Sequence, residues 1–144
     1  MISTEVVEML SKGAIEELPF ATPGFTSNLF LVPKKGGGVR PIINLRPFNA
    51  FLRYQHFQME GIHCFRDLLR QSDWLAKLDL KDAYFTVPIA LEFRDYLHFT
   101  WHGRRWRFTC LPFGLSSAPW CFTKLMKPVV AFLRFASLST WTIS

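Results

Sequence analysis

Residues 78–85 read LDLKDAYF and end a run in which apolar and charged side chains alternate. Between Leu75 and Lys81 the apolar residues fall on one side and the charged ones on the other, which predicts a half-buried β-strand. Asp79 lies near the end of this strand, and Asp82 follows three residues later. A carboxylate at a strand end is a natural ligand for Mg²⁺. The alternative is a solvated strand face of alternating charge, which is the commoner arrangement for this spacing.

A glycine-rich turn with two lysines precedes this stretch. The apolar runs Asn28–Val32 and Val39–Leu45 flank a proline, two lysines and three glycines, a pattern that predicts a β-hairpin. Lys34, Lys35 and Arg40 could grip phosphate groups there, because the glycines let the backbone approach a ligand closely. The alternative is a solvated turn without a ligand. The order of residues is not that of a Walker A loop.

Residues 111–119, LPFGLSSAP, form a loop that leads into a predicted helix. The helix N-terminus could face an anion or a nucleotide, or it could be an ordinary capped end. The order Gly114-Leu115-Ser116 approaches a hydrolase nucleophile elbow, but Ala118 replaces its second glycine, so a hydrolase built on Ser116 is the weaker alternative. The apolar residues with helical spacing are Phe122, Leu125, Met126, Val129, Val130 and Leu133.

Basic and aromatic side chains are interleaved between residues 101 and 107. The β-rich runs Tyr96–Trp101 and Arg105–Thr109 surround His102-Gly103 and predict a second hairpin. Such a mixture could bind nucleic acid through stacking and charge, or it could be the wet face of an ordinary hairpin. The residues that we predict to bind nucleic acid are Arg104, Arg105 and Arg107.

The composition fits one globular domain. The 144 residues are 49% hydrophobic and 19% charged, which excludes a disordered or low-complexity chain. Helical spacing over residues 4–18, despite Gly13, and the interleaved strand patterns predict an α+β fold. Residues 1–20 hold one lysine and four glutamates, whereas the remainder carries sixteen basic against seven acidic side chains. This basic body favours a polyanionic partner.

The cysteines and termini indicate the compartment. Cys64, Cys110 and Cys121 show neither a disulfide framework nor a metal-binding spacing. The N-terminus lacks the pattern of a secretory signal, and no run is long and apolar enough for a membrane helix. We therefore expect an intracellular protein of the cytoplasm or nucleus, without a membrane partner.

Taken in order, the lysine hairpin, LDLKDAYF and LPFGLSSAP closely resemble the motifs of a reverse transcriptase. The resemblance covers about residues 20–135, and Trp74–Pro88 with Phe108–Arg134 is most similar to the DIRS type of retrotransposon. It implies an α+β fold made of the fingers and partial palm of a right-hand polymerase. The implied activity is RNA-directed DNA synthesis, with an RNA or DNA template–primer and deoxynucleoside triphosphates as partners.

The resemblance also implies a role for each motif residue. Asp79 would be the first catalytic metal ligand, helped by the Leu80 carbonyl, in a site for two Mg²⁺ ions that activate the primer 3′-hydroxyl and stabilise the leaving pyrophosphate. Tyr84 would be the steric gate that excludes a ribose 2′-hydroxyl. The other residues implied to bind the incoming nucleotide are Lys34, Lys35 and Arg40 at its triphosphate, Asp82 and Ala83 at its phosphates and sugar, and Phe113 and Gly114 beside the nascent base pair.

The family's third motif, an aromatic-x-Asp-Asp hairpin, is missing from this sequence. It should follow the helix that ends near Arg134, but no acidic residue occurs after Asp95. Codons permitted for residues 138–144, with ACG assumed for Thr142, give Ile-Tyr-Leu-Asp-Asp-Phe in a shifted reading phase. This predicts a change of phase between about residues 134 and 138, by frameshift, decay or gene-model error, and the alternative is a coincidental tail.

The expected organisation follows from the reach of the resemblance. We expect an N-terminal helical segment over residues 1–19, a fingers–palm domain over residues 20–135 and an aberrant tail over residues 136–144. Such a truncated chain is expected to be inactive alone. The alternatives are a non-catalytic nucleic-acid-binding fragment and a non-functional retroelement remnant.

Overall fold

The computed structural model describes residues 4–33, 37–53, 55–57, 71–72 and 80–132. The strands are β1 (Ile15–Leu18), β2 (Thr26–Pro33), β3 (Val39–Ile43), β4 (His98–Trp101) and β5 (Arg104–Phe108). The helices are α1 (Thr4–Ser11), α2 (Arg46–Asn49), α3 (Leu91–Arg94) and α4 (Ala118–Phe132), and a 3₁₀ turn covers Ala83–Thr86. Within the described residues the strands form one sheet in the order β1-β5-β4-β2-β3, so the predicted α+β class is confirmed.

Both predicted hairpins are present. Strands β2 and β3 pair antiparallel as far as Pro33, which lies opposite Val39. Strands β4 and β5 pair antiparallel around His102 and Gly103, whose positive φ angles of 49° and 72° suit a tight two-residue turn. The parallel pairing of β2 with β4 joins the two hairpins into one sheet.

The predicted helix over residues 4–18 is wrong in its second half. Helix α1 ends at Ser11, and Gly13 follows with a φ of +67°, a left-handed conformation that a glycine adopts without strain. The Ala14 N–H donates to the Met9 carbonyl at 2.9 Å and the Gly13 N–H to the Leu10 carbonyl at 2.9 Å, which is a Schellman ending. The chain then reverses into β1, which pairs antiparallel with β5.

The buried core joins side chains from α1, the sheet and α4. Val6, Phe99 and Trp106 are at most 1% exposed. Helix α4 confirms the predicted C-terminal helix, and its Phe122 lies in the core. The predicted apolar face of this helix is only partly buried by the described residues, because Leu125 remains about half exposed.

Some expectations fall on residues that the structure does not describe. The predicted strand over 75–81 and the predicted helix over 63–71 lie almost entirely outside the described ranges, as does Cys64. Cys110 and Cys121 are free thiols. Among the residues described, no helix has the length and apolar character needed to cross a membrane. The domain boundaries after residues 19 and 135 stay predictions.

Candidate functional site

Three stretches singled out in the sequence meet at one cleft with a volume of about 100 Å³. Strand β3 of the lysine hairpin contributes Val39, the 78–85 stretch contributes Asp82 and Phe85, and the 111–119 loop contributes Phe113. Helix α1 adds a fourth wall through Glu5 and Glu8, and Lys12, just after the helix, lies beside them. Residues far apart in the chain therefore line one space.

The turn after Leu80 has a fixed backbone. Asp82 adopts a left-handed conformation with φ 53° and ψ 37°, which only a few non-glycine residues tolerate and aspartate does better than most. The Phe85 N–H donates to the Asp82 carbonyl at 2.8 Å, and the Thr86 hydroxyl donates to the Ala83 carbonyl at 2.7 Å. These bonds order the 3₁₀ turn and thereby set the direction of the Tyr84 side chain.

The Tyr84 ring is held by aromatic neighbours. Its centroid lies 5.5 Å from that of Phe113 and 5.8 Å from that of Phe122. Phe85 contacts the same Phe113 ring at 5.5 Å. Burial raises the pKa of the Tyr84 hydroxyl above its usual value, so the residue stays neutral. Ala83 and Tyr84 are both buried, and the Tyr84 ring packs behind Phe113. Phe85 and Phe113 line the cleft, whereas Ala83, Tyr84 and Gly114 do not.

The loop before α4 is held by a residue that the sequence did not single out. The Asn49 amide donates to the Gly114 carbonyl at 2.8 Å and accepts from the Ser116 N–H at 2.9 Å. Gly114 has a φ of +95°, and a Cβ there would lie 3.3 Å from the Ile43 carbonyl oxygen. The loop therefore packs closely on β3. No local sequence signal distinguishes Asn49, the last residue of α2, from an ordinary polar residue at the end of a short helix.

An ion pair that the sequence does not predict joins the end of helix α1 to the cleft. The Lys12 ammonium lies 2.8 Å from the Asp82 carboxylate and 2.6 Å from that of Glu8. The hydrogen bonds to Asp82 and Glu8 raise the pKa of Lys12, and the bond to Lys12 lowers the pKa of Glu8. The helical spacing of Glu8 and Lys12 indicates their mutual pair, but nothing local points to Asp82.

Several predicted site residues lie outside this geometry. Asp79, Lys34 and Lys35 are outside the described residues, and Arg40 is described only through its backbone, which pairs with Val32. Leu80 is half-buried against the core. Among the described residues, no group of three or more histidine, cysteine or acidic side chains could hold a metal ion.

The arginines of the second hairpin contact their own chain. Arg107 binds the Glu16 carboxylate at 2.7 Å and that of Asp95 at 2.5 Å, and it holds the pKa of the Asp95 carboxyl below its usual value. Arg104 lies 3.3 Å from the carboxylate of Glu17. Arg105 donates to the Thr22 carbonyl at 2.5 Å and lies over the Phe20 ring. Their role in nucleic-acid binding stays a prediction.

A second cleft of about 220 Å³ combines basic and aromatic side chains. Lys124 and Lys127 of α4 line it together with Trp120, and the Lys124 ammonium lies 5.7 Å from the Trp120 ring centroid. His56 and Phe57 form the opposite part of the lining. No local sequence pattern indicates this surface, because its residues come from two segments more than sixty positions apart.

Comparison with known proteins gives the family. The family model described as reverse transcriptase (RNA-dependent DNA polymerase) matches residues 32–140. The Pol polyprotein of equine infectious anemia virus (isolate 1369) is 29% identical over 138 residues, which is 90% of this chain and 12% of the relative. The retrovirus-related Pol polyprotein from transposon 412 of Drosophila melanogaster is 32% identical over 127 residues, which is 79% of this chain and 10% of the relative.

Solved structures agree on the fold. The foamy viral protease-reverse transcriptase in complex with dsDNA matches with a TM-score of 0.73 and 21% identity, over all of this chain and 33% of that one. A related structure, the foamy viral protease-reverse transcriptase dRH in complex with ds DNA, matches with a TM-score of 0.74 and 20% identity, over 95% of this chain and 25% of that one. The chain thus spans a third or less of the length of these relatives. The family model matches residues 32–140, more than half of the chain, and this match shows that the chain belongs to the reverse transcriptase family.

Proposed function

We propose that this chain supplies the fingers and part of the palm of a retroelement polymerase. We also propose that the cleft lined by Lys12, Val39, Asp82 and Phe113, here called the α1–β3 cleft, binds the incoming nucleotide. The convergence of Asp82, Phe113 and β3 on one cleft carries this proposal. Tyr84 packs against the Phe113 ring, and Gly114 packs on β3. In this proposal, Asp82 and Ala83 lie beside the phosphates and sugar. The buried Tyr84 ring excludes a 2′-hydroxyl, and Phe113 and Gly114 flank the base pair.

We also propose roles for the basic residues of the first hairpin and for Asp79 with Leu80. Lys34, Lys35 and Arg40 would hold the triphosphate from the hairpin tip. Reverse transcriptases generally use divalent metal ions, and Asp79 with the Leu80 carbonyl would hold Mg²⁺ here. Hard oxygen donors of this kind suit the ion, which supplies Lewis-acid activation of the primer 3′-hydroxyl when it is bound.

We assign the template–primer to the second cleft. Stacking on Trp120 and attraction of phosphates to Lys124 and Lys127 are the two interactions that bind nucleic acid without sequence preference. The foamy viral relatives were solved in complex with DNA, which supports a nucleic-acid partner. The arginines of β5 are a less favourable surface, because acidic partners already neutralise two of them.

The type of retroelement and the cellular location are inferred from the sequence alone. We infer a DIRS-like element from the similarity of Trp74–Pro88 and Phe108–Arg134, and an intracellular location in cytoplasm or nucleus. Neither aspartate of the third motif occurs among these residues, so we expect this chain alone not to extend a primer. The coding DNA after codon 134 tests the shifted reading phase, and codons that cannot give Tyr-x-Asp-Asp there would exclude it.

Binding of an RNA–DNA primer–template, measured by fluorescence anisotropy over a range of salt concentrations, tests the nucleic-acid surface. The variant Lys124→Met/Lys127→Met should lower the slope of log affinity against log salt by about two, since each phosphate contact contributes nearly one. Arg104→Met is the matched control and should leave the slope unchanged. If Arg104→Met lowers the slope and the lysine variant does not, the β5 surface binds instead.

Primer extension tests the catalytic part. On an RNA template with Mg²⁺ or Mn²⁺, the chain alone should give no product above background. Robust incorporation that disappears in Asp79→Ala would show that the residues present suffice for catalysis. Absence of both salt-dependent binding and a cooperative unfolding transition would instead favour a non-functional remnant.

A further inference from the structure

Lys12 occupies a defined place at the end of α1. It directly precedes the left-handed Gly13, and its backbone N–H donates to the Glu8 carbonyl at 3.1 Å. The Schellman ending therefore fixes the backbone from which the side chain extends. The ammonium group lies between two carboxylates, 2.8 Å from Asp82 and 2.6 Å from Glu8. One side of the cleft is thus tied to the turn that carries Asp82.

The described lining of the cleft has more negative than positive charge. Glu5, Glu8 and Asp82 contribute carboxylates, and Lys12 contributes an ammonium group. The carboxylate of Asp82 is the one on the same turn as Ala83 and Tyr84. Left uncompensated, this carboxylate would repel a triphosphate, because like charges a few ångströms apart interact by about 1 kcal/mol or more.

We propose that Lys12 is a positioning residue for the nucleoside triphosphate, acting by neutralising Asp82 and holding its carboxylate against α1. The proposal rests on the proposed nucleotide function of the cleft. In this arrangement Glu8 orients the Lys12 side chain. Lys12 in turn balances the charge of Asp82 and keeps its turn in the left-handed conformation. The contribution of Lys12 should therefore increase with the number of phosphates on the ligand.

Nucleotide binding by the full chain with a poly(rA)–oligo(dT) template–primer tests this role. Equilibrium dialysis with labelled dTTP, dTDP and dTMP compares the wild type with Lys12→Met. We expect dTTP affinity to fall on the order of fivefold, dTDP affinity to fall less, and dTMP affinity to fall least. A purely structural loss would weaken all three ligands by the same factor.

Two further variants separate the pair from its surroundings. Asp82→Asn removes the charge but keeps a residue that tolerates the left-handed conformation. Because Lys12 then keeps its positive charge and no carboxylate repels the phosphates, dTTP should bind more tightly than to the wild type. The double variant Lys12→Met/Asp82→Asn should restore most of the affinity lost in Lys12→Met. Lys81→Met removes the same charge from the exposed neighbour of Asp82 and is the matched control, with a smaller effect on dTTP binding expected.

The outcomes distinguish the two levels of the proposal. If the wild type binds dTTP and Lys12→Met binds it equally well, the role of Lys12 is overturned while the nucleotide site stands. If the double variant stays as weak as Lys12→Met, Lys12 acts directly on the phosphates and not through Asp82, which also overturns it. If the wild type binds no dTTP, the proposed function fails and the role of Lys12 with it. Should Lys12→Met not fold, weaker dTTP binding by Asp82→Asn would still contradict the proposal.

Discussion

The arginine hairpin and the α1–β3 cleft use basic side chains in different ways. On the hairpin, Arg107 pairs with Glu16 and Asp95, and Arg104 pairs with Glu17, across separations of up to 91 positions in the chain. In the cleft, one described ammonium group, that of Lys12, faces several carboxylates. The first region is a matched network that joins β1 to β5, whereas the second is an unbalanced site. Basic composition therefore does not by itself locate a polyanion surface, because pairing decides which charges remain available.

The largest expected effect concerns the close contact of Gly24 with Asp95 and His98, which lie beside the arginine network. A Cβ at Gly24 would collide with the His98 ring and the Asp95 carbonyl oxygen. Because the carbonyl is backbone and cannot swing aside, Gly24→Ala should destabilise the fold by about 2–3 kcal/mol. Urea unfolding followed by tryptophan fluorescence measures the change.

Gly103→Ala is the matched control for this prediction. Gly103 has a φ of +72° and open space around it, so the substitution adds only conformational strain of about 1 kcal/mol. Equal losses in the two variants would mean that the approach of Gly24 to α3 and β4 is not a tight contact in solution.

Breaking the matched network itself should have a smaller effect. Arg107 bridges Glu16 and Asp95 with a side chain only 19% exposed, so Arg107→Met should lower the free energy of unfolding by about 1–2 kcal/mol. Arg104→Met, on a side chain 51% exposed, should lower it by no more than about 0.5 kcal/mol. Equal effects would contradict the distinction between a network arginine and a surface arginine.

How far the sequence predicts this molecule depends on how local each signal is. Both hairpins and α4 were predicted correctly, because alternation, turn residues and helical spacing lie within each segment. The sequence IEEL after Gly13 fits a helix as well as a strand, and only its pairing with β5 decides. Asn49 and the Lys12–Asp82 pair could not be predicted, since their partners lie 65 to 70 positions away.

Replacing Asn49 should loosen the loop before α4 more than it lowers the stability of the whole fold. Asn49 makes two hydrogen bonds to the loop before α4, so Asn49→Ala should lower stability by about 1 kcal/mol. Amide hydrogen exchange should accelerate at Ser116, whose N–H loses its acceptor. Asn44→Ala is the control, because in the described part of the chain the Asn44 side chain accepts one exposed hydrogen bond, from the Arg46 N–H at 3.2 Å. Unchanged exchange at Ser116 in Asn49→Ala would show that Asn49 does not hold the loop.

The smallest effect concerns mild acid and arises at His98, beside the arginine hairpin. His98 is fully buried, its Nε2 lies 3.2 Å from Asp95, and its Nδ1 has no hydrogen-bond partner among the described residues. Burial is the main reason why the pKa of His98 falls below its ordinary value of 6.5; Asp95 opposes this shift, and Arg105 and Arg107 add to it. Below pH 6.5 the unfolded chain therefore binds a proton that the folded chain does not, and stability falls as the pH falls.

Asp95 adds to this loss only in stronger acid, since its lowered pKa gives stability that persists until the pH falls below its ordinary value of 3.8. Thermal unfolding at about pH 7.5 and about pH 5.5 therefore isolates His98. The wild type should melt at a lower temperature at the lower pH, and His98→Asn should reduce that difference. A wild type that becomes more stable on acidification would mean that His98 takes up its proton in the folded state, where the Asp95 carboxylate outweighs both desolvation and the two arginines.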